Sequence, residues 1–109
     1  MINKMPKRQK QDKYTKSAKG QDCQIRSPAC NHNPETVVFC HLNGAGIGEK
    51  MQNIHGAYGC LNCHDFVDGM LFIDGMRGQD FNTAQRQFYH LKGTIRTQEL
   101  MIRNGILKL

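Results

Sequence analysis

Gly56-Ala-Tyr-Gly-Cys-Leu-Asn-Cys-His-Asp65 is the stretch that decides the reading of this chain. Two cysteines spaced by two residues, at a glycine turn leading into a helical pattern, let two sulfurs converge on one ion. Asn62 stands where a helix N-cap is expected, and Cys63, His64 and Asp68 fall on the short helix that follows. Upstream, Cys23-Gln-Ile-Arg-Ser-Pro-Ala-Cys30 supplies a second pair. Its gap is longer than the roughly two to four residues usual in such sites, so it is informative mainly in combination. Together Cys23, Cys30, Cys60 and Cys63 are expected to hold a structural Zn²⁺ in a tetrahedron, with sulfur at about 2.3 Å. Such binding is worth on the order of 10 kcal/mol, which rivals the whole stability of a small domain.

The fifth cysteine lies on the best strand candidate, Thr36–Leu42, where β-branched and aromatic residues follow one another. Alternation puts Val38, Cys40 and Leu42 on one face and Val37, Phe39 and His41 on the other. Cys40 therefore reads as a small core residue and not as a ligand. The turn-rich segment Ser27–Pro34 precedes the strand, and the glycine-rich Asn43–Gly48 follows it.

The chain has 109 residues, the length of one domain, and a net charge of +6. Residues 1–20 carry Lys4, Lys7, Arg8, Lys10, Lys13, Lys16 and Lys19 against Asp12 alone, which accounts for the whole excess (7 − 1 = 6). A segment so poor in apolar side chains is expected to be a disordered basic tail, with the folded domain running from 21 to 109. It reads either as an arm that displaces counterions from nucleic-acid phosphates or as a solubility tail. There is no run of about 18 apolar residues, so no membrane partner is expected. Nor does an apolar segment follow the charged N-terminus as in a secretory signal. The expected location is the cytoplasm, where thiols stay reduced and favour metal ligation over disulfides.

A long helix is expected from Asn82, which forms a possible capping box with Gln85. Phe81, Ala84, Phe88, Leu91 and Ile95 follow spacings of three and four and make one apolar stripe. Gly93 interrupts the pattern. The stripe reads as the face that packs on the zinc core or, alternatively, as the seam of a homodimer.

Two histidines adjoin these elements. His41 ends the strand, and His64 follows the last zinc cysteine, with Asp68 one helical turn on. A histidine base, with a second histidine and a carboxylate to hold a divalent cation, are the parts that phosphodiester hydrolysis needs. The plainer readings are a strand-end histidine, a supporting histidine beside the zinc and solvated helix acids. His32 and His90 receive no role.

This order of residues resembles the HNH, or ββα-metal, endonucleases that carry a cysteine-bound zinc. More closely, Cys23–Cys30, Asn33-Pro-Glu-Thr36, His41-Leu42 and Gly56–Asp65 are similar to the prophage-derived YbcO family of nuclease candidates, over about residues 22–75. The resemblance implies an α+β fold, with a treble-clef-like ββα-metal unit followed by a longer C-terminal helix. It also implies a metal-dependent endonuclease acting on DNA. Cys23, Cys30, Cys60 and Cys63 would bind structural zinc, and His41 would be the general base. His64 would bind a catalytic Mg²⁺ or Mn²⁺, with Asp68 as a second ligand. Two positions depart from the HNH pattern. An acidic residue often precedes the base, where this chain has Cys40, and the middle Asn falls on His55. A non-catalytic, zinc-stabilised DNA-binding module needs only the four cysteines and the tail.

Overall fold

The computed structural model describes residues 12–42, 54–70, 72–73, 76–77 and 80–109. Its architecture is α+β. In chain order the elements are α1 (Lys13–Lys16), a 3-10 turn (Pro34–Thr36), β1 (Val38–His41), β2 (Gly56–Gly59), α2 (Leu61–Val67), β3 (Phe72–Ile73), β4 (Met76–Arg77) and α3 (Thr83–Arg103). β1 and β2 pair antiparallel, with Cys40 opposite Ala57 and His41 opposite Gly56. β3 and β4 form a separate antiparallel pair. Residues 1–11 and 43–53, including most of the basic tail and the glycine-rich loop, lie outside the described residues.

The strand begins later than its composition suggests. Asn33 caps the 3-10 turn by accepting from the Glu35 N–H, and Pro34 fits its first position. Val37 ends that turn and is buried, whereas Val38 starts the strand and is exposed. The expected alternation resumes with Cys40 inside and His41 outside.

Among the described residues β2 pairs with β1 alone, and its other edge is closed by side chain and loop. The Tyr58 N–H donates to Thr97 Oγ1 of α3 at 2.9 Å, and the Tyr58 carbonyl accepts from the Gln24 N–H at 2.7 Å. These bonds satisfy backbone groups that a bare edge would leave open. α3 lies across β2, and Tyr58, Ile25, Thr97 and Met101 are fully buried between them. A second small core joins α2 to α3, where Phe66 meets the rings of Phe81 and Tyr89 edge-on.

Three expectations need correction. Residues 12–20, expected to belong to a disordered tail, are folded onto the core. Asp12 caps α1 by accepting from the Tyr14 and Thr15 N–H groups, Ala18 is buried, and Ser17 Oγ meets Tyr58 Oη at 2.7 Å. A few anchors thus hold this lysine-rich segment on the core.

The α2 cap is Cys60 and not Asn62. Cys60 Sγ accepts from the Cys63 N–H at 3.3 Å, because the sulfur itself occupies the capping position. Asn62 Nδ2 instead donates to the Ala29 carbonyl at 3.2 Å, tying α2 to the Cys23–Cys30 loop.

The stripe on α3 does not pack on the core around the cysteines. Phe88, Leu91 and Ile95 are each half or more exposed, while Gly93, Thr94, Thr97 and Met101 face inward. The capping box of Asn82 and Gln85 forms as expected, and the helix runs unbroken through Gly93. Gly93 is a contact point and not a break. A Cβ there would lie 2.9 Å from Ile25 Cα and 3.1 Å from the Gln24 carbonyl.

Candidate metal centre and active site

The four cysteines arrive from one loop and one helix start. Cys23 and Cys30 bracket the loop over which α3 crosses, while Cys60 and Cys63 bracket the first turn of α2. Their sulfurs all lie within 4.8 Å of one another. A Zn–S distance of about 2.3 Å gives a tetrahedral edge of about 3.8 Å. Cys30 Sγ and Cys60 Sγ are 3.9 Å apart, so the donor set fits the ion in identity and in size.

Backbone geometry supports the same centre. Arg26 and His32 take left-handed conformations, with φ 54° and 58°, which turn the chain within and after the first loop. Beside them, the Ser27 N–H and Oγ lie 3.4 and 3.1 Å from Cys63 Sγ, and the Asn31 N–H lies 3.4 Å from Cys60 Sγ. Donors aimed at sulfur stabilise thiolate charge and tune a bound metal.

The electrostatics point the same way. Hydrogen bonds from Cys23 and Cys63 hold the Cys60 thiol well below its ordinary range. The bonds to Cys23 and Cys60 push Cys63 well above it, and burial pushes Cys30 up to about 12. Four crowded sulfurs resist carrying four negative charges unless a cation sits among them. Cys40 is buried outside this cluster, and burial raises its thiol, as suits a core residue.

His41 sits at the end of β1, exposed, with its ring against Phe39. His64 lies on α2 with Nδ1 3.7 Å from Asp65 Oδ1 and 3.8 Å from Asp68 Oδ2. Asp68 itself is the α2 C-cap. Among the described residues, the four cysteines are the one set of three or more metal-binding side chains that converges on a point. His41, His64 and Asp68 are not gathered into a chelating cluster of that kind. His55 contributes its carbonyl to the Leu42 N–H at 2.9 Å.

A residue that the sequence pattern passes over belongs to this region. His90, on α3, places Nε2 2.9 Å from the Cys40 carbonyl. Burial lowers its pKa below the ordinary histidine value. The charges of Asp68, His64 and His41 all bear on its ring. The available signal was its place one turn before Gly93 and Thr94, small residues that mark the face of α3 closest to the core.

The fold and site define a small α+β protein built around a four-cysteine centre suited to a metal such as zinc. The chain belongs to the YbcO family: the family model described as "Putative nuclease YbcO" matches residues 12–106. The chain is 33% identical over 98 residues to "Putative nuclease YbcO" of Escherichia coli (strain K12). That match covers 85% of this chain and 94% of the relative. "Putative nuclease ybcO" of Enterobacteria phage 82 matches with the same identity and coverage, in keeping with a prophage context. Among solved structures, "Structure of a putative bacteriophage protein from Escherichia coli str. K-12 substr. MG1655" matches with a TM-score of 0.67 and 29% identity. It covers 84% of this chain and 99% of that one. Among the described residues, no helix is long and apolar enough to cross a membrane.

Proposed function

We propose that this chain is a metal-dependent endonuclease that hydrolyses DNA phosphodiester bonds. In this reading β1, β2 and α2 form a ββα-metal unit of the HNH type, held by zinc on Cys23, Cys30, Cys60 and Cys63. His41 is the general base. The reading rests chiefly on one observation: β1, which ends in the exposed His41, pairs antiparallel with β2, and β2 runs directly into the Cys60–Cys63 turn of α2 that carries His64. The nuclease names of the family and its relatives support the same activity.

His64 would hold a catalytic Mg²⁺ or Mn²⁺ together with Asp68, whose carboxylate lies 3.8 Å from its ring. One or two protein ligands are enough for such a cation when substrate phosphate completes the shell. When bound, the cation would neutralise phosphate charge and stabilise the departing oxygen. His41 would take the proton from water at a ring nitrogen. The water oxygen forms the new bond to phosphorus as the bond to the leaving oxygen breaks in line. His64→Ala tests this role. It should raise the Mn²⁺ concentration for half-maximal plasmid nicking about 10- to 100-fold, with zinc still bound. An unchanged metal requirement would remove His64 from the site.

The basic residues of the N-terminal tail, Lys4, Lys7, Arg8 and Lys10 among them, would add affinity for phosphates without reading sequence. The exposed stripe of Phe88, Leu91 and Ile95 is the surface we propose for a homodimer through α3. A cytoplasmic location follows from the same reading.

One observation favours the non-catalytic DNA-binding module: His64 is paired with two acids, in place of a converged three-ligand set. That module predicts that His41→Ala changes nothing measurable. It also predicts that removing residues 1–11 weakens DNA binding and flattens its dependence on salt.

A further inference from the structure

We propose that His90 is a positioning residue for His41, fixing the last peptide of β1 from α3. The inference rests on the reading of His41 as the general base. A carbonyl oxygen only accepts, so the 2.9 Å contact requires Nε2 to carry the proton and donate to Cys40 O. That carbonyl belongs to the peptide joining Cys40 to His41. Holding it sets the direction in which the His41 side chain leaves the strand.

His41 is the last residue of β1, and its register partner on β2 is Gly56. Its ring meets that of Phe39 edge-on, with centroids 5.0 Å apart. α3 is anchored one and two turns beyond His90. Gly93 lies against Ile25, and Thr97 is bonded to Tyr58, so the helix carrying His90 has a fixed height above the sheet. The bond spans 50 residues of sequence and couples the long helix to the strand end. This gives α3 a role in the site beyond covering the core.

The test compares two amides. Glutamine at position 90 carries an N–H at the reach of Nε2, whereas asparagine is one methylene shorter and falls short of Cys40 O. His90→Asn should lower kcat for plasmid nicking about 10- to 100-fold with KM unchanged, the scale of a small misplacement of a reacting group. His90→Gln should stay within a few-fold of wild type. The independent readout is the NMR signal of the His41 ring. It should shift and broaden in His90→Asn and return in His90→Gln, with zinc content and melting temperature checked in both. Wild-type kcat and unchanged His41 signals in His90→Asn would overturn the proposal. Equal impairment in both variants would also overturn it, since the imidazole itself would then act. If wild-type protein cleaves nothing, the nuclease reading falls, and the His41 signals alone decide whether His90 positions that ring.

Discussion

Cys60→Ser separates two jobs that one sulfur performs. Cys60 Sγ is a member of the four-sulfur set and also the N-cap of α2, accepting from the Cys63 N–H at 3.3 Å and the Asn31 N–H at 3.4 Å. Serine is a good N-cap, so the capping contribution of about 1 kcal/mol should survive. The metal contribution should not. Structural zinc supplies roughly 10–16 kcal/mol through four ligands, so losing one soft ligand removes on the order of 3 kcal/mol. In a domain of about 100 residues, each kcal/mol moves the melting temperature by about 4–8 °C. Cys60→Ser should therefore melt well over 10 °C lower and lose zinc to a chromogenic chelator that wild type resists. Cys40→Ala is the control. It removes a buried thiol outside the cluster and should keep a full zinc equivalent. A Cys60→Ser protein that holds one zinc per chain and melts with wild type would refute the assignment of this centre.

Gly93→Ala should destabilise the protein even though alanine is the better helix former. The propensity gain is about 1 kcal/mol, but overpacking against a backbone atom at 2.9 Å costs about 1–3 kcal/mol. A urea midpoint equal to or above wild type would contradict the close crossing of α3 over Ile25. His90 should make wild-type protein acid-sensitive. Burial lowers its folded pKa below 6.5, with His64 and His41 acting in the same direction and Asp68 and the Cys40 hydrogen bond opposing. The unfolded chain then binds the extra proton, so this stability is complete above about pH 6.5 and is lost as pH falls toward the folded value. His90→Gln should lose less melting temperature on acidification, and a parallel loss would remove His90 as a cause. Leu91→Glu, on the exposed stripe of α3, should convert a dimeric mass in light scattering to a monomeric one. A monomeric wild type at high concentration would end the dimer proposal.

The chemistry of the centre was legible because it depends on residue type and spacing. Cys60-x2-Cys63 announces a metal knuckle whatever surrounds it, and Asn82 with Gln85 announces a helix start. The parts that were not legible depend on packing. The sequence pattern of α3 points to Phe88, Leu91 and Ile95 as its inner face, yet the fold buries Gly93, Thr94 and Thr97. The reason is local. β2 needs an acceptor for the Tyr58 N–H, which Thr97 supplies, and the loop at Ile25 comes too close for any side chain at position 93. Small and polar residues thus do what an apolar stripe usually does. The same blind spot hid His90, whose partner is a backbone carbonyl 50 residues away. α1 escaped for a different reason, since Tyr14, Ser17 and Ala18 are too few to show against seven basic neighbours.

The most direct test is plasmid nicking by wild-type protein and by His41→Ala, with zinc retained, after EDTA treatment and return of Mg²⁺ or Mn²⁺. Cleavage by wild type that depends on the added cation and disappears in His41→Ala, with folding and zinc content unchanged, is the predicted result. Equal cleavage by both proteins, or none by either while DNA binding persists, would contradict a nuclease centred on His41.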